Sequence, residues 1–331
     1  MAATPCWPAP AAPATPSRST TPPPAPRASG CASLASTTPP PPIACTWRPP
    51  APELAVTDDE WARAARAVAN ARALLVTAGA GMGVDSGLPD FRGPQGFWRA
   101  YPPYQKLGLA FEDLANPRWF ADDPELGWGF YGHRLELYRK TPPHAGFAVL
   151  RAWAERMAAG AFVFTSNVDG AFQRAGFDAE RVCEVHGAIE SLQCTDRTCA
   201  GLWRADGVQV DVDEATFRAR APLPACPRCG RLARPNILMF GDWGWDASRS
   251  EEQAARLEDF LRGIRGAPTV VVECGAGTAI PGVRRFSERL MDSGATLIRI
   301  NLREPEGASI GLASGARAAL ERLASMVEAL R

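Results

Sequence analysis

No run of about 18 consecutive apolar residues occurs anywhere in the 331-residue chain, so no segment reads as a membrane-spanning helix. Net charge is missing too. Thirty-six basic side chains balance 36 acidic ones, which makes a polyanion such as nucleic acid a poor main partner. Cysteine is sparse, with nine residues unevenly spread, and this excludes a secreted disulfide scaffold. Acid is absent from the first 52 residues, and that segment lacks the apolar stretch of a secretory signal. No internal repeat is found. What remains is a globular protein of a reducing compartment, expected in the cytoplasm, with 46% hydrophobic residues to build a core.

Residues 1–52 hold about half of the chain's 31 prolines among Ala, Ser and Thr. Such a segment buries too little apolar surface to offset its ordering entropy. It is expected to be a disordered tail, or an upstream extension beyond the working start. Its Arg- and Ser-bearing composition leaves organelle targeting open, although amphipathic periodicity is missing. Residues 53–331 are expected to form the folded part. Thr57-Asp58-Asp59-Glu60 is a capping box, followed by Trp61, Ala65, Val68 and Ala71 at helical spacing.

Short apolar runs of strand character lie at Leu74–Thr77, Phe162–Thr165, Val182–Val185, Val270–Glu273 and Leu297–Ile300. Helical patterns at 145–158, 251–262 and 283–293 fall between them. Strands alternating with helices predict a Rossmann-like, doubly wound parallel sheet in an α/β fold. Two insertions interrupt the alternation. One, about 95–145, is rich in aromatics; the other, about 190–235, contains most of the remaining cysteines. Cys183 and Cys274 sit in strand-like runs and read as small buried hydrophobes.

The first strand opens into Ala78-Gly79-Ala80-Gly81, a turn that in doubly wound folds brings backbone amides up to a dinucleotide pyrophosphate. A dehydrogenase would continue into a helix, whereas Ser86-Gly87-Leu88-Pro89-Asp90-Phe91-Arg92-Gly93 reads as a loop. Further on, Cys194-x4-Cys199 and Cys226-x2-Cys229-Gly230 offer four thiolates at a spacing suited to tetrahedral zinc. Four protein ligands leave no open coordination position, so such a zinc is structural; redox clustering is the competing reading.

Phe162–Thr165 ends in Ser166-Asn167-Val168-Asp169-Gly170, polar groups at the carboxyl end of a strand, where ligand crevices lie. His186 closes the next run before Gly187. A histidine there is placed for acid–base work, though an isolated one more often serves structure.

Together these motifs resemble those of the sirtuins, the silent-information-regulator family of NAD-consuming protein deacylases. The resemblance runs through the glycine loop, Ser166-Asn167-Val168-Asp169, His186-Gly187 and the cysteine quartet. It continues in Arg234-Pro235…Leu238-Met239-Phe240-Gly241-Asp242, in Gly275-Ala276-Gly277-Thr278 and in Ile300-Asn301, and spans about residues 57–305. It implies a small zinc-binding domain inserted in a Rossmann-like one, with NAD as co-substrate and acylated protein lysines as partners.

By the same resemblance, Ala78, Gly79, Gly81, Asp90, Phe91, Arg92, Ser166, Gly275, Gly277, Thr278 and Asn301 would bind NAD. Asn167 and Asp169 would hold the nicotinamide riboside. The acyl oxygen would attack the ribose anomeric carbon as nicotinamide leaves, and His186 would then take a proton from a ribose hydroxyl. The products would be free lysine, nicotinamide and acyl-ADP-ribose. Leu238, Phe240 and Gly241 would contact the substrate, and Cys194, Cys199, Cys226 and Cys229 would hold zinc.

The chain departs from the family pattern in places. Ser166 replaces a glutamine, the Gly-Thr-Ser element is displaced at Gly277-Thr278, Asp242 stands for a glutamate, and Arg303 stands for an acid. These changes leave an ADP-ribosyltransferase or NAD hydrolase as the alternative to a deacylase, and a non-enzymatic zinc-ribbon interaction module as a further one, against which His186, Asn167 and Asp169 together speak. Tyr131-x-x-Arg134 resembles the pair that meets acidic acyl groups in desuccinylating sirtuins. At helical spacing both side chains reach one carboxylate.

Overall fold

The computed structural model describes residues 56–89, 101–106 and 108–331. The five expected apolar runs form parallel strands β1 (Ala73–Ala78), β2 (Ala161–Thr165), β3 (Val182–Glu184), β7 (Thr269–Cys274) and β8 (Thr296–Ile300), and a further strand, β9 (Ile310–Leu312), joins them. They pair in the order β3-β2-β1-β7-β8-β9, with β1 directly against β7. The strand order reverses at that junction, and a doubly wound sheet opens its ligand crevice at such a point. Every residue of β1 is buried, as a central strand covered on both faces requires.

Strand alternation sends side chains to two cores. Leu74, Val76 and Ala78 face helices α1 (Asp58–Asn70), α3 (Ala145–Arg156) and α6 (Ala316–Glu328), where Trp61, Phe147, Leu150 and Leu320 pack. Ala73 and Leu75 face α4 (Ser248–Gly263) and α5 (Gly282–Asp292), through Leu257, Phe260 and Phe286. The expected capping box starts α1. The Glu60 amide donates to Thr57 Oγ1, and the Glu60 carboxylate accepts the Thr57 amide at 2.8 Å. Among the described residues, no helix is long and apolar enough to cross a membrane.

The two insertions are one structure. Strands β4 (Gly187–Cys194), β5 (Trp203–Arg204) and β6 (Ala233–Ile237) form an antiparallel sheet in the order β5-β4-β6. Its Ile189, Leu192 and Ile237 share a core with Tyr101, Tyr104, Phe120, Trp128 and Phe130 of the aromatic-rich segment. Helix α2 (Pro124–Lys140) begins at Asp123, whose carboxylate accepts the Leu126 amide, with Pro124 in the first helical position. Gly129 lets the segment around Phe217 cross this helix: a Cβ there would lie 2.0 Å from the Phe217 carbonyl oxygen.

Candidate active site

Loops from the carboxyl ends of β1, β7 and β8 line a cavity of about 350 Å³ that includes Gly81, Asp85, Gly275, Gly277, Thr278, Asn301 and Glu304. A neighbouring cavity of about 250 Å³ lies between the β2 end and the small sheet. Ser166, Asn167, Asp169, His186, Tyr131, Arg134, Leu238 and Phe240 line it, and Ala80 belongs to both. The crevice therefore brings together most of the residues singled out from sequence. Among the described residues, Ala78, Gly79 and Gly241 line neither cavity, and Asp90, Phe91 and Arg92 lie outside the described residues, as does the tail 1–52.

The glycines of the first loop have a steric reason visible in the fold. A Cβ on Gly79 would lie 2.8 Å from Ala276 Cα, and one on Gly81 would lie 2.7 Å from Gly275 Cα. Gly275 itself has φ +62°, and its Cβ would meet the Gly81 carbonyl carbon at 2.4 Å. The β1 and β7 loops thus touch backbone to backbone. Ala78 contributes through its carbonyl, which accepts the Thr165 hydroxyl at 3.0 Å and the Ser166 amide at 3.2 Å. Asn167 Nδ2 donates to the Gly79 carbonyl at 2.9 Å, tying the end of β2 to the same loop.

Glu304 was not among the sequence candidates. Its carboxylate accepts the Thr278 amide at 3.0 Å and the Thr278 hydroxyl at 2.7 Å, and these bonds hold it below the usual glutamate range. Asn301 Oδ1 accepts the amides of Arg303 and Glu304 while its Nδ2 donates to the Ala276 carbonyl, which folds the β8 loop over the β7 loop.

On the other side of Ala80, Asp169 is buried and accepts the Ala171 amide at 2.8 Å. Burial pushes its carboxyl pKa up, against the opposing pull of that bond and of Arg174 and Arg134. His186 stands half-buried in the turn between β3 and β4, and its carbonyl accepts the Leu238 amide at 3.0 Å. Gly187 follows with φ +76°, and a Cβ there would lie 2.0 Å from the Asn236 carbonyl oxygen. Only glycine lets the chain turn beneath β6 at this point.

Tyr131 and Arg134 do share a helix face, and both are buried at the cavity. Arg134 donates from Nε and Nη2 to Tyr138 Oη at 3.1 and 2.7 Å, and its guanidinium carbon is 5.5 Å from the Tyr131 ring centre. The Tyr131 hydroxyl is buried with no hydrogen-bond partner among the described residues, and burial raises its pKa to about 12. Tyr138 was legible only by extending the helical spacing one more turn.

The four cysteines converge. Their sulfurs lie within 4.8 Å of one another, with Cys194–Cys229 at 3.6 Å and Cys199–Cys226 at 3.7 Å. Zn–S bonds of about 2.3 Å in a tetrahedron require sulfurs roughly 3.7–3.8 Å apart, so the donor set fits zinc. Gly230, at φ +72°, turns the second knuckle back, and its amide donates to the Cys226 carbonyl at 2.9 Å. Cys183 and Cys274 are buried, and burial pushes both thiols up, Cys183 to about 12.

A doubly wound sheet with a two-part crevice at its switch point, joined to a cysteine-bearing lobe, defines a dinucleotide-binding α/β protein. A model described as the Sir2 family matches residues 79–260. The chain is 32% identical over 237 residues to an NAD-dependent protein deacylase of Aeropyrum pernix, covering 72% of this chain and 84% of that one. It is 33% identical over 192 residues to the mitochondrial NAD-dependent protein deacylase sirtuin-5 of Danio rerio, covering 53% and 58%. The solved structure of a Sir2 homologue in complex with NAD superposes with a TM-score of 0.64 at 26% identity, covering 83% of this chain and 96% of that one. The chain belongs to the Sir2 family.

Proposed function

We propose that this protein removes acyl groups from protein lysine at the expense of NAD, and that it prefers acyl groups ending in a carboxylate. NAD-dependent deacylation is the activity in the names of its relatives. The reading is carried by one cavity in which His186, Asn167 and Asp169 meet Tyr131 and Arg134. The adjoining cavity, with the Gly275–Thr278 loop and Asn301, takes the adenosine and phosphate end of NAD.

In this reading Asn167 and Asp169 orient the nicotinamide ribose, and His186 withdraws a proton from a ribose hydroxyl so that its oxygen attacks the transferred acyl carbon. Leu88, Phe111, Val168 and Met239 provide an apolar lining that keeps water from the reacting carbon. The acyl preference follows from unmet bonding capacity. The Tyr131 hydroxyl is buried with no hydrogen-bond partner among the described residues, next to the Arg134 guanidinium, and a terminal carboxylate supplies an acceptor for it.

The test is mass spectrometry of acetyl-, succinyl- and malonyl-lysine peptides incubated with the protein and NAD. Free lysine and acyl-ADP-ribose are expected, with the acidic acyl groups lost faster. NAD consumption with every peptide still acylated would overturn the reading, and faster loss of acetyl would overturn the preference.

A further inference from the structure

The segment that leaves β6 carries an aromatic side chain for which the fold itself gives no use. Leu238 and Phe240 line the cavity, and three residues on Trp243 is 80% exposed. This exposure is built rather than frayed. On one side, Asp242 is bound by Arg234, their side chains 0% and 5% exposed. On the other, the Gly244 amide donates to Asp242 Oδ1 at 3.1 Å and its carbonyl accepts Gln193 Nε2 at 2.7 Å. Gly244 also presses on the first cysteine knuckle, since a Cβ there would lie 3.0 Å from Arg197 Nε. Both neighbours of Trp243 are pinned to buried partners while its indole stands in solvent.

A tryptophan on a backbone held at both sides has less freedom to lose when it is covered, and tryptophan is enriched among the side chains that dominate binding surfaces. Its position says what covers it. A target must pass its modified lysine into the cavity beside Phe240, so the target backbone runs along the rim made by residues 238–243. Trp243 follows Phe240 by three residues, at most about 11 Å of chain, a span that an extended target covers in about three residues. We propose that Trp243 selects targets with a large apolar or aromatic residue within three positions of the acyl-lysine. This inference rests on the deacylase reading above.

Binding, which needs no turnover, separates the two. Acyl-lysine peptides that differ only in Phe or Ser at the flanking positions are titrated calorimetrically into wild type, Trp243→Ala and Trp243→Phe. Wild type is expected to bind the Phe-flanked peptide about tenfold tighter. Trp243→Ala should erase that difference while leaving the Ser-flanked Kd and the KM for NAD within about twofold, and Trp243→Phe should restore most of it. Equal affinities in wild type, an equal fall for both peptides, or no binding of either would overturn the inference. Selective binding without loss of the acyl group would support the surface and refute the activity.

Discussion

The buried pair of Arg234 and Asp242 gives the sharpest stability prediction. Arg234 Nη1 donates to Asp242 Oδ1 at 3.1 Å and Nη2 bonds the other oxygen, in a bidentate arrangement with 5% and 0% of the side chains exposed. Nη2 also donates to the Ile237 carbonyl at 3.2 Å. Removing one member leaves the other charge buried without compensation, which costs about 3–5 kcal/mol. Arg234→Met strands a carboxylate, whereas Asp242→Asn keeps an oxygen for the Gly244 amide, so the arginine variant should suffer more. At about 2–4 °C per kcal/mol for a domain of this size, Tm should fall by roughly 10 °C. The double variant Arg234→Met/Asp242→Leu should recover most of the loss, because apolar replacement of a buried pair is often close to neutral. Urea unfolding of wild type, Arg234→Met, Asp242→Leu and the double variant measures the cycle. A single variant within about 1 kcal/mol of wild type would refute the reasoning, since the pair would then be accessible to water.

Further outcomes follow from the site and its supports. Burial holds both His133 and His144 below the usual 6.5, so the unfolded chain binds protons first. Stability should therefore fall as pH drops from 6.5 through the folded values, and His133→Gln should flatten that slope in pH-dependent melts. Zinc removal by a chelator, or Cys226→Ser, should lower Tm and release the aromatic-rich segment to protease, because the quartet lobe and that segment share one core. Arg134→Met should cost at least tenfold in kcat/KM for succinyl-lysine peptides and leave acetyl-lysine peptides within about threefold. Loss of both in steady-state assays would show a purely structural arginine.

The large sheet was legible because its strands are buried on both faces and so read as unbroken apolar runs, as in Ala73-Leu74-Leu75-Val76. The small sheet was not. Gly187–Cys194 and Ala233–Ile237 bury Gln193, Arg234 and Asn236, polar residues that interrupt the apolar pattern and are held by bonds to partners elsewhere, such as Asn236 Nδ2 to Gln193 Oε1 at 2.9 Å. β9 is Ile310-Gly311-Leu312, where a central glycine breaks the apolar run that made the equally short β3 visible. In the site, chemistry-bearing types in ordered motifs made His186, Asn167 and the cysteines visible. Glu304 escaped because its role comes from Thr278, 26 positions away. The glycines were legible as a loop, but their contact with the β7 loop was not, since backbone approach across the sheet leaves no local pattern.

Only Val185 and His186 separate β3 of the large sheet from β4 of the small one. The candidate base therefore sits where the large parallel sheet hands over to the small antiparallel one, so its position is fixed by the packing of both.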